Sequence, residues 1–363
     1  MKLFTVGPVN PFKETNEVYQ TDFPYFRTEE YGELVKTNLR LLGTLLGLKY
    51  DNNIIYLTAS GTAAMEATIE NCLNQYDKAL IINGGSFGHR FCQLCTRHNI
   101  PYDSIDLRWD EELTNTHLQK YAKEKYTALL VNLHETSTGQ LYNIEMLSDF
   151  CKKKGVFLIV DAISTFLADP YDMSKYDIDV TIFSSQKGLS LSPGLSFIAL
   201  SQRMLQKIQE SPQPATMYFS FADYLSNIVR GQTPYTPAVC IMYELEKILD
   251  LITKTGLNNW LGNVKKKALY FRERAKTMGL TIPETYKLSN MLTPIVFNNV
   301  NAYDVFLELQ NKYQIYVNPC SGELATKMLR ISHIGNTTIE DFDDLLTKIQ
   351  GVMSFLMKEG LND

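Results

Sequence analysis

The chain has 363 residues, 45% hydrophobic and 21% charged, a composition that excludes collagenous and disordered classes. At roughly 150 residues per domain this length predicts about two domains, because single cores stop growing near about 250 to 300 residues. Thirty-five Lys and Arg against 40 Asp and Glu give a net charge of −5 with no long basic block, so nucleic acid is not an expected partner.

The opening Met1-Lys2-Leu3-Phe4-Thr5-Val6-Gly7-Pro8 breaks its short apolar run at Gly-Pro and lacks the apolar region of an export signal. No run approaches the ~18 apolar residues of a membrane span. Six cysteines are too sparse for a disulfide framework. The expectation is a cytoplasmic protein with free thiols and no membrane partner.

From about residue 54, short β-branched runs alternate with helical spacing of apolar residues, the pattern of repeated β-α units over a mostly parallel sheet. Predicted strands are Ile54 to Leu57, Ala79 to Ile82, Ala128 to Leu133, Val156 to Val160, Val180 to Phe183 and Phe197 to Leu200. Predicted helices between them are Thr62 to Leu73, Gly88 to His98, Leu118 to Lys123 and Ile144 to Lys154. Six such units need helices on both faces of the sheet. After Ser211-Pro212-Gln213-Pro214, a periodic stretch from Pro237 to Met278 reads as one or two helices leaving the large domain. Strand-like Pro294 to Phe297, Ile315 to Val317 and Met328 to Ile331, with helices near Tyr303 to Lys312 and from Ile339 onward, suit a smaller α+β domain.

Ligands of open α/β sheets bind beyond the carboxyl ends of the strands, so the residues that follow each strand carry the chemistry. Thr58-Ala59-Ser60-Gly61-Thr62 leads from a strand into a helix whose positive end suits a phosphate, although taken alone Ser60 or Thr62 reads more readily as an ordinary N-cap. Asn83-Gly84-Gly85-Ser86-Phe87 puts an aromatic ring after a glycine turn, either as a plate for a planar ligand or as core. His134-Glu135-Thr136-Ser137-Thr138-Gly139 is a polar cluster that needs partners. Asp161 ends a buried strand, where a carboxylate needs a cation or strong donors unless it caps the next turn. Lys187 ends another, a setting in which desolvation lowers an amine pKa and makes it nucleophilic. An anion cradle, a ring plate, a carboxylate and a buried lysine together match the needs of pyridoxal 5′-phosphate.

With these pieces in order, the sequence resembles the class V aminotransferases of pyridoxal-phosphate fold type I. The nearest likeness is to alanine–glyoxylate, serine–pyruvate and 2-aminoethylphosphonate–pyruvate transaminases. Gly7-Pro8, Ser60-Gly61-Thr62, Gly85 to Arg90, His134 to Gly139, Val160-Asp161-Ala162-Ile163-Ser164, Ser185-Gln186-Lys187-Gly188, Pro193-Gly194 and Arg330 to Gly335 carry the resemblance. It implies an N-terminal segment over 1–14 near the active site, and a large cofactor-binding domain over 15–255 with a mostly parallel seven-stranded sheet. A small α+β domain over 256–363 completes the implied organisation.

The resemblance also implies that Lys187 is the Schiff-base lysine and proton carrier, and that Asp161 pairs with the pyridinium nitrogen. It makes Phe87 the stacking ring and sets the Thr136 hydroxyl beside the phenolic oxygen. Ser60, Gly61, Thr62 and Gln186 would hold the phosphate, joined by Gln232 and Thr236 from a second subunit of a homodimer. Gly7 and Arg330 would meet the substrate, a small amino donor or a 2-oxo-acid acceptor. A phosphonate would need a further cation from Arg27, Arg90 or Arg230.

Two departures stand out: Phe26-Arg27 where relatives often have His-Arg, and Cys320 in a segment that is usually glycine-rich. Cys320 lies ten residues before Arg330, as the nucleophile of a cysteine desulfurase would, yet such enzymes usually stack a His where this chain has Phe87 and place His before the lysine where it has Gln186. A non-catalytic regulatory subunit is a second alternative, opposed by the presence of both Lys187 and Asp161. Cys92 and Cys95 read as buried thiols, His98 and His117 as helix-surface residues, and His333 as either packing or site.

Overall fold

The computed structural model describes residues 1–48 and 53–359. Its strands begin with β1 (Lys2–Phe4), β2 (Ile54–Leu57), β3 (Ala79–Asn83), β4 (Tyr102–Asp106), β5 (Ala128–Asn132), β6 (His134–Glu135) and β7 (Gln140–Leu141). They continue with β8 (Phe157–Asp161), β9 (Val180–Ser184), β10 (Ser196–Leu200), β11 (Leu292–Val296), β12 (Ile315–Pro319) and β13 (Met328–Ser332).

Seven strands form one sheet in the order β2-β10-β9-β8-β5-β3-β4. The five strands from β9 to β4 run parallel. All six strands predicted for this sheet are present, with two corrections to the scheme of six β-α units. β10 runs antiparallel to both β9 and β2, and β4 is a strand that the apolar runs did not reveal. The helix expected over Leu118 to Lys123 lies instead at Asn115–Gln119, because Thr114 and His117 form a reciprocal cap that starts it earlier.

Strand alternation divides the core. Ile54 and Tyr56 face one layer with Leu129, Val160 and the helix Glu29–Leu45, while Ile55 and Leu57 face another with Ile159, Ile182 and the helix Gly61–Cys72. Burial on both faces explains why these strands read as continuous apolar runs, each buried Leu or Ile contributing about 1.5–3 kcal/mol.

The stretch from Pro237 to Met278 is two helices, Val239–Thr255 and Leu257–Thr277, separated by Gly256 at φ +81°. Only the second leaves the large layer: Leu245, Ile248 and Ile252 pack with the seven-stranded sheet, whereas Phe271 and Ala275 join Ile331 and Phe342. That second core lies over a four-stranded sheet, β1-β12-β13-β11, covered also by the helices Ala302–Tyr313 and Ile339–Glu359. β1 joins this sheet parallel to β12, so the N-terminal segment is anchored in the small sheet before it reaches the seven-stranded one. At φ +147°, Gly7 then comes so close to Gln186 that a Cβ there would lie 2.8 Å from its carbonyl oxygen. His333 belongs to this second core, its ring 5.3 Å from that of Phe271 and 5.6 Å from that of Phe342.

Candidate active site

The carboxyl ends of β8 and β9 bring Asp161 and Lys187 within each other's electrostatic influence. β8 delivers Asp161, a buried carboxylate whose Oδ1 accepts from Ile163 N–H at 2.8 Å and whose Oδ2 accepts from the Asn132 side-chain amide at 2.8 Å. Burial pushes its pKa up to about 6, opposed by those two bonds and by the Lys187 charge. No cation bonds to it directly among the described residues.

β9 leads to Lys187, which is 8% exposed, with Nζ 5.4 Å from the centroid of the Phe87 ring. Burial pushes the Lys187 ammonium down to about 8, against the opposing pull of Asp161. The turn that carries it is tightly built. Ser185 Oγ donates to Ser192 O at 2.7 Å and accepts from Leu195 N–H at 3.2 Å. A Cβ at Gly188 would lie 2.0 Å from the Phe166 carbonyl oxygen, so only glycine fits there.

Phe87 sits in the first turn of the helix Ser86–Arg97 and is fixed by Glu135, to which sequence reasoning gave no role. One Glu135 oxygen accepts from the Phe87 and Gly88 N–H groups at 3.2 and 3.0 Å, while the other accepts from the Ser137 N–H at 3.1 Å and its hydroxyl at 2.6 Å. A carboxylate at a helix's positive end is a favourable arrangement. His134, next to it, is held neutral by burial, its pKa down to about 3, and lies 3.0 Å through Nδ1 from Ser164 O. Ser164 Oγ donates back to His134 O at 3.0 Å, so the Asp161 loop and the Thr136 segment are clamped together.

The cradle starts at Ser60, which makes no side-chain cap to the helix Gly61–Cys72, so the N-cap explanation does not hold for it. The Thr62 hydroxyl accepts from Arg90 at 3.0 Å, and the Arg90 guanidinium lies 4.8 Å from the Phe87 ring centroid. Of the three candidate arginines, only Arg90 stands here. Arg27 donates to Gln232 Oε1 and Thr233 O at 3.2 and 2.8 Å, and Arg230 to Asn227 at 2.7 Å. Gln232 is buried against Arg27, whereas Thr236 is exposed.

From β13, Arg330 donates to Thr136 O at 2.9 Å and to Pro319 O at 2.6 Å, and its Nε has no partner among the described residues. The buried Thr136 hydroxyl is also without a partner. Cys320 Sγ lies 3.8 Å from Ser137 O, its pKa raised by burial against the influence of Arg330. Phe87, Trp109, Ser137, Cys320 and Arg330 line a cleft of about 700 Å³.

The sequence family described as Aminotransferase class-V matches residues 27–345. The chain belongs to the class-V aminotransferases. An uncharacterized aminotransferase of Methanocaldococcus jannaschii is 29% identical over 316 residues, 85% of this chain and 81% of that one. The L-aspartate–glyoxylate aminotransferase of Paracoccus denitrificans is 25% identical over 348 residues, 93% of this chain and 87% of that one. The crystal structure of alanine–glyoxylate aminotransferase from Nostoc sp. superposes with a TM-score of 0.91 at 26% identity, covering 97% of this chain and 94% of that one.

Pyridoxal 5′-phosphate is the cofactor of this class-V aminotransferase, and the chain's unsatisfied groups fit it. Among the described residues a buried carboxylate has no directly bonded cation and a buried hydroxyl at Thr136 has no partner, while a lysine amine faces an aromatic ring. At the cradle Gly61 leaves space that a Cβ would fill, 2.5 Å from Ile163 Cδ1. Membership of the family also sets aside the non-catalytic reading. The raised Cys320 pKa disfavours the thiolate that a desulfurase needs. Cys92 and Cys95 are buried thiols raised to about 11 and 12, chiefly by burial. His98 and His117 each lie 3.2 Å from a glutamate, Glu66 and Glu111 respectively.

Proposed function

We propose that the protein is a transaminase for a small amino donor, an amino acid or 2-aminoethylphosphonate, with pyruvate or glyoxylate as acceptor and Lys187 as the Schiff-base lysine. The observation that carries this is the placement of Lys187: buried, with its amine facing the Phe87 ring, and that ring shares a cleft with Arg330. The glyoxylate in the names of two relatives supports the acceptor.

When bound, pyridoxal 5′-phosphate supplies an aldehyde for amines and a ring that draws electrons from the substrate's α-carbon. Lys187 Nζ would attach the cofactor through that aldehyde and, as a free amine, would carry the proton to and from the substrate's α-carbon. Asp161 would hold the proton on the ring nitrogen, Phe87 would support the ring, and the unpartnered Thr136 hydroxyl would donate to the phenolic oxygen. Ser60, Gly61, Thr62 and Gln186 bind the phosphate at the helix's positive end, with Arg90 behind Thr62. Arg330 keeps donors free after its two carbonyl bonds and takes the carboxylate of donor and acceptor in turn, with Gly7 keeping that side of Lys187 narrow.

The test is a single-turnover absorbance screen of holoenzyme against alanine, serine, aspartate and 2-aminoethylphosphonate without acceptor. One of these small donors should convert the bound cofactor to its amine form, and pyruvate or glyoxylate should restore it. Absence of conversion with all four, together with sulfide release from cysteine, would reject the reading.

The basicity of Lys187 sets a pH dependence. Cofactor uptake needs the neutral amine, which is scarce below its pKa of about 8 and predominates above it. The rate of uptake by cofactor-free protein should therefore rise about tenfold per pH unit up to 8 and then level off. A rate that kept rising about tenfold per unit past pH 9 would contradict a desolvated Lys187.

The active unit in this reading is a cytoplasmic homodimer with shared sites. Thr236, exposed on its loop, is the residue this chain offers a neighbour's phosphate, while Gln232 is turned inward and supports the loop through Arg27. Mixing Lys187→Ala and Thr236→Ala chains gives heterodimers in which one site carries both lesions and the other neither. Activity should exceed that of both parents after subunit exchange, and failure to exceed them would mean that each site lies within one chain.

A further inference from the structure

A second cleft, of about 390 Å³, lies behind the catalytic lysine. Its walls are the helix Leu257–Thr277, the turn between β13 and the helix Ile339–Glu359, the N-terminal segment at Phe12, and Gly188, one residue past Lys187. Its volume falls within the range of sites that enclose small organic ligands. Phe12 and Trp260 form an aromatic wall with ring centroids 5.4 Å apart, and Leu167, Val264 and Ile334 add aliphatic surface.

Lys267 is the unusual member of this lining. Its ammonium donates to Gly335 O at 3.1 Å and Thr337 Oγ1 at 3.3 Å, two neutral acceptors, and among the described residues no carboxylate pairs with it. The nearby acid, Asp341, is paired with Lys2 instead. Lys266 at the same cleft adds a second positive charge, against the single carboxylate of Glu340. The buried indole N–H of Trp260 has no acceptor among the described residues. Burial pushes the Lys267 ammonium down to about 8, opposed by Asp341, so the protein holds this cation in an apolar wall without a counter-ion.

We infer that this cleft is a second small-molecule site, distinct from the active site, and that it takes a monocarboxylate with a flat apolar body. The carboxylate meets Lys267 at the β13 turn, and the body lies against Trp260 and Phe12. Charge and shape select the ligand together: a neutral analogue leaves the ammonium unpaired, and a small polar acid leaves the aromatic wall uncovered.

Phenylacetate tests this, because it has neither the amino nor the 2-oxo group that transamination needs. The chain has two tryptophans, Trp109 at the active cleft and Trp260 here, so Trp109→Phe holoenzyme leaves Trp260 as the only indole reporter. Phenylacetate should change its emission saturably, and phenylacetamide should bind at least about tenfold more weakly. Lys267→Met should weaken phenylacetate by a similar factor, while Arg330→Lys should leave it unchanged. No saturable change, equal binding of the amide, or a loss confined to Arg330→Lys would overturn the inference, the last by placing the acid in the active site. The emission and amide arms need no change at Lys267, so they decide even if Lys267→Met does not fold.

Discussion

A Lys187→Ala chain should transaminate at least about 10³-fold more slowly than the wild type while remaining folded. The loss combines two roles of one amine, covalent attachment of the cofactor and proton transfer at the α-carbon, neither of which a neighbour can assume. Asp161 is fixed by Ile163 and Asn132, and the pKa of His134 of about 3 leaves it a weak base. Stability should move the other way. The folded protein lowers the Lys187 pKa to about 8, so the charged form is disfavoured on folding and weakens the cofactor-free protein below that pH. Removing the ammonium should leave the melting temperature at pH 7 equal or higher. Borohydride should tether the cofactor to the Lys187 peptide in wild type and not in the variant. More than a tenth of wild-type turnover in Lys187→Ala would remove the lysine from the mechanism.

Asp161→Asn should retain the cofactor but lose about 10²- to 10³-fold in kcat, because the group that keeps the ring nitrogen protonated is gone while the phosphate cradle is untouched. The substitution is sterically mild. Asn132 Oδ1 has no partner, so that amide can turn and accept from the new side chain. In the cofactor-free protein the raised pKa of about 6 means that stability is lost as pH rises through 6, when a buried carboxylate must ionise. Asp161→Asn lacks this loss and should melt higher than wild type above pH 6. Near-normal kcat would show that another group controls the ring nitrogen.

How far these features could be read from the sequence depends on whether their causes are local. β5, β8 and β9 are legible because burial on both faces demands unbroken apolar runs, and their ends place Asp161 and Lys187. β4, Tyr102-Asp103-Ser104-Ile105-Asp106, is an edge strand with only Ile105 buried, so it carries no such run. The direction of β10 is invisible because an apolar run reads the same parallel or antiparallel. Glu135 lies in the polar cluster His134 to Gly139, but its role depends on N–H groups 47 and 48 residues earlier. Gln232 and Thr236 share one loop, and only the fold shows that one side chain turns in and the other out.

The place of β1 in the small sheet bears on how the protein is made. Val6 N–H bonds to Asn318 Oδ1 at 2.6 Å across 312 residues, and among the described residues β1 pairs only with β12. On the ribosome, β1 emerges long before its partner strand, while the seven-stranded sheet finds all its strands by residue 200. That sheet can therefore assemble during translation, with β1 waiting as an unpaired edge until β12 arrives. Because Gly7 packs against Gln186 beside Lys187, the catalytic pocket closes only when this late strand docks. Nascent chains halted before β12 should thus hold a formed large sheet and an open lysine pocket.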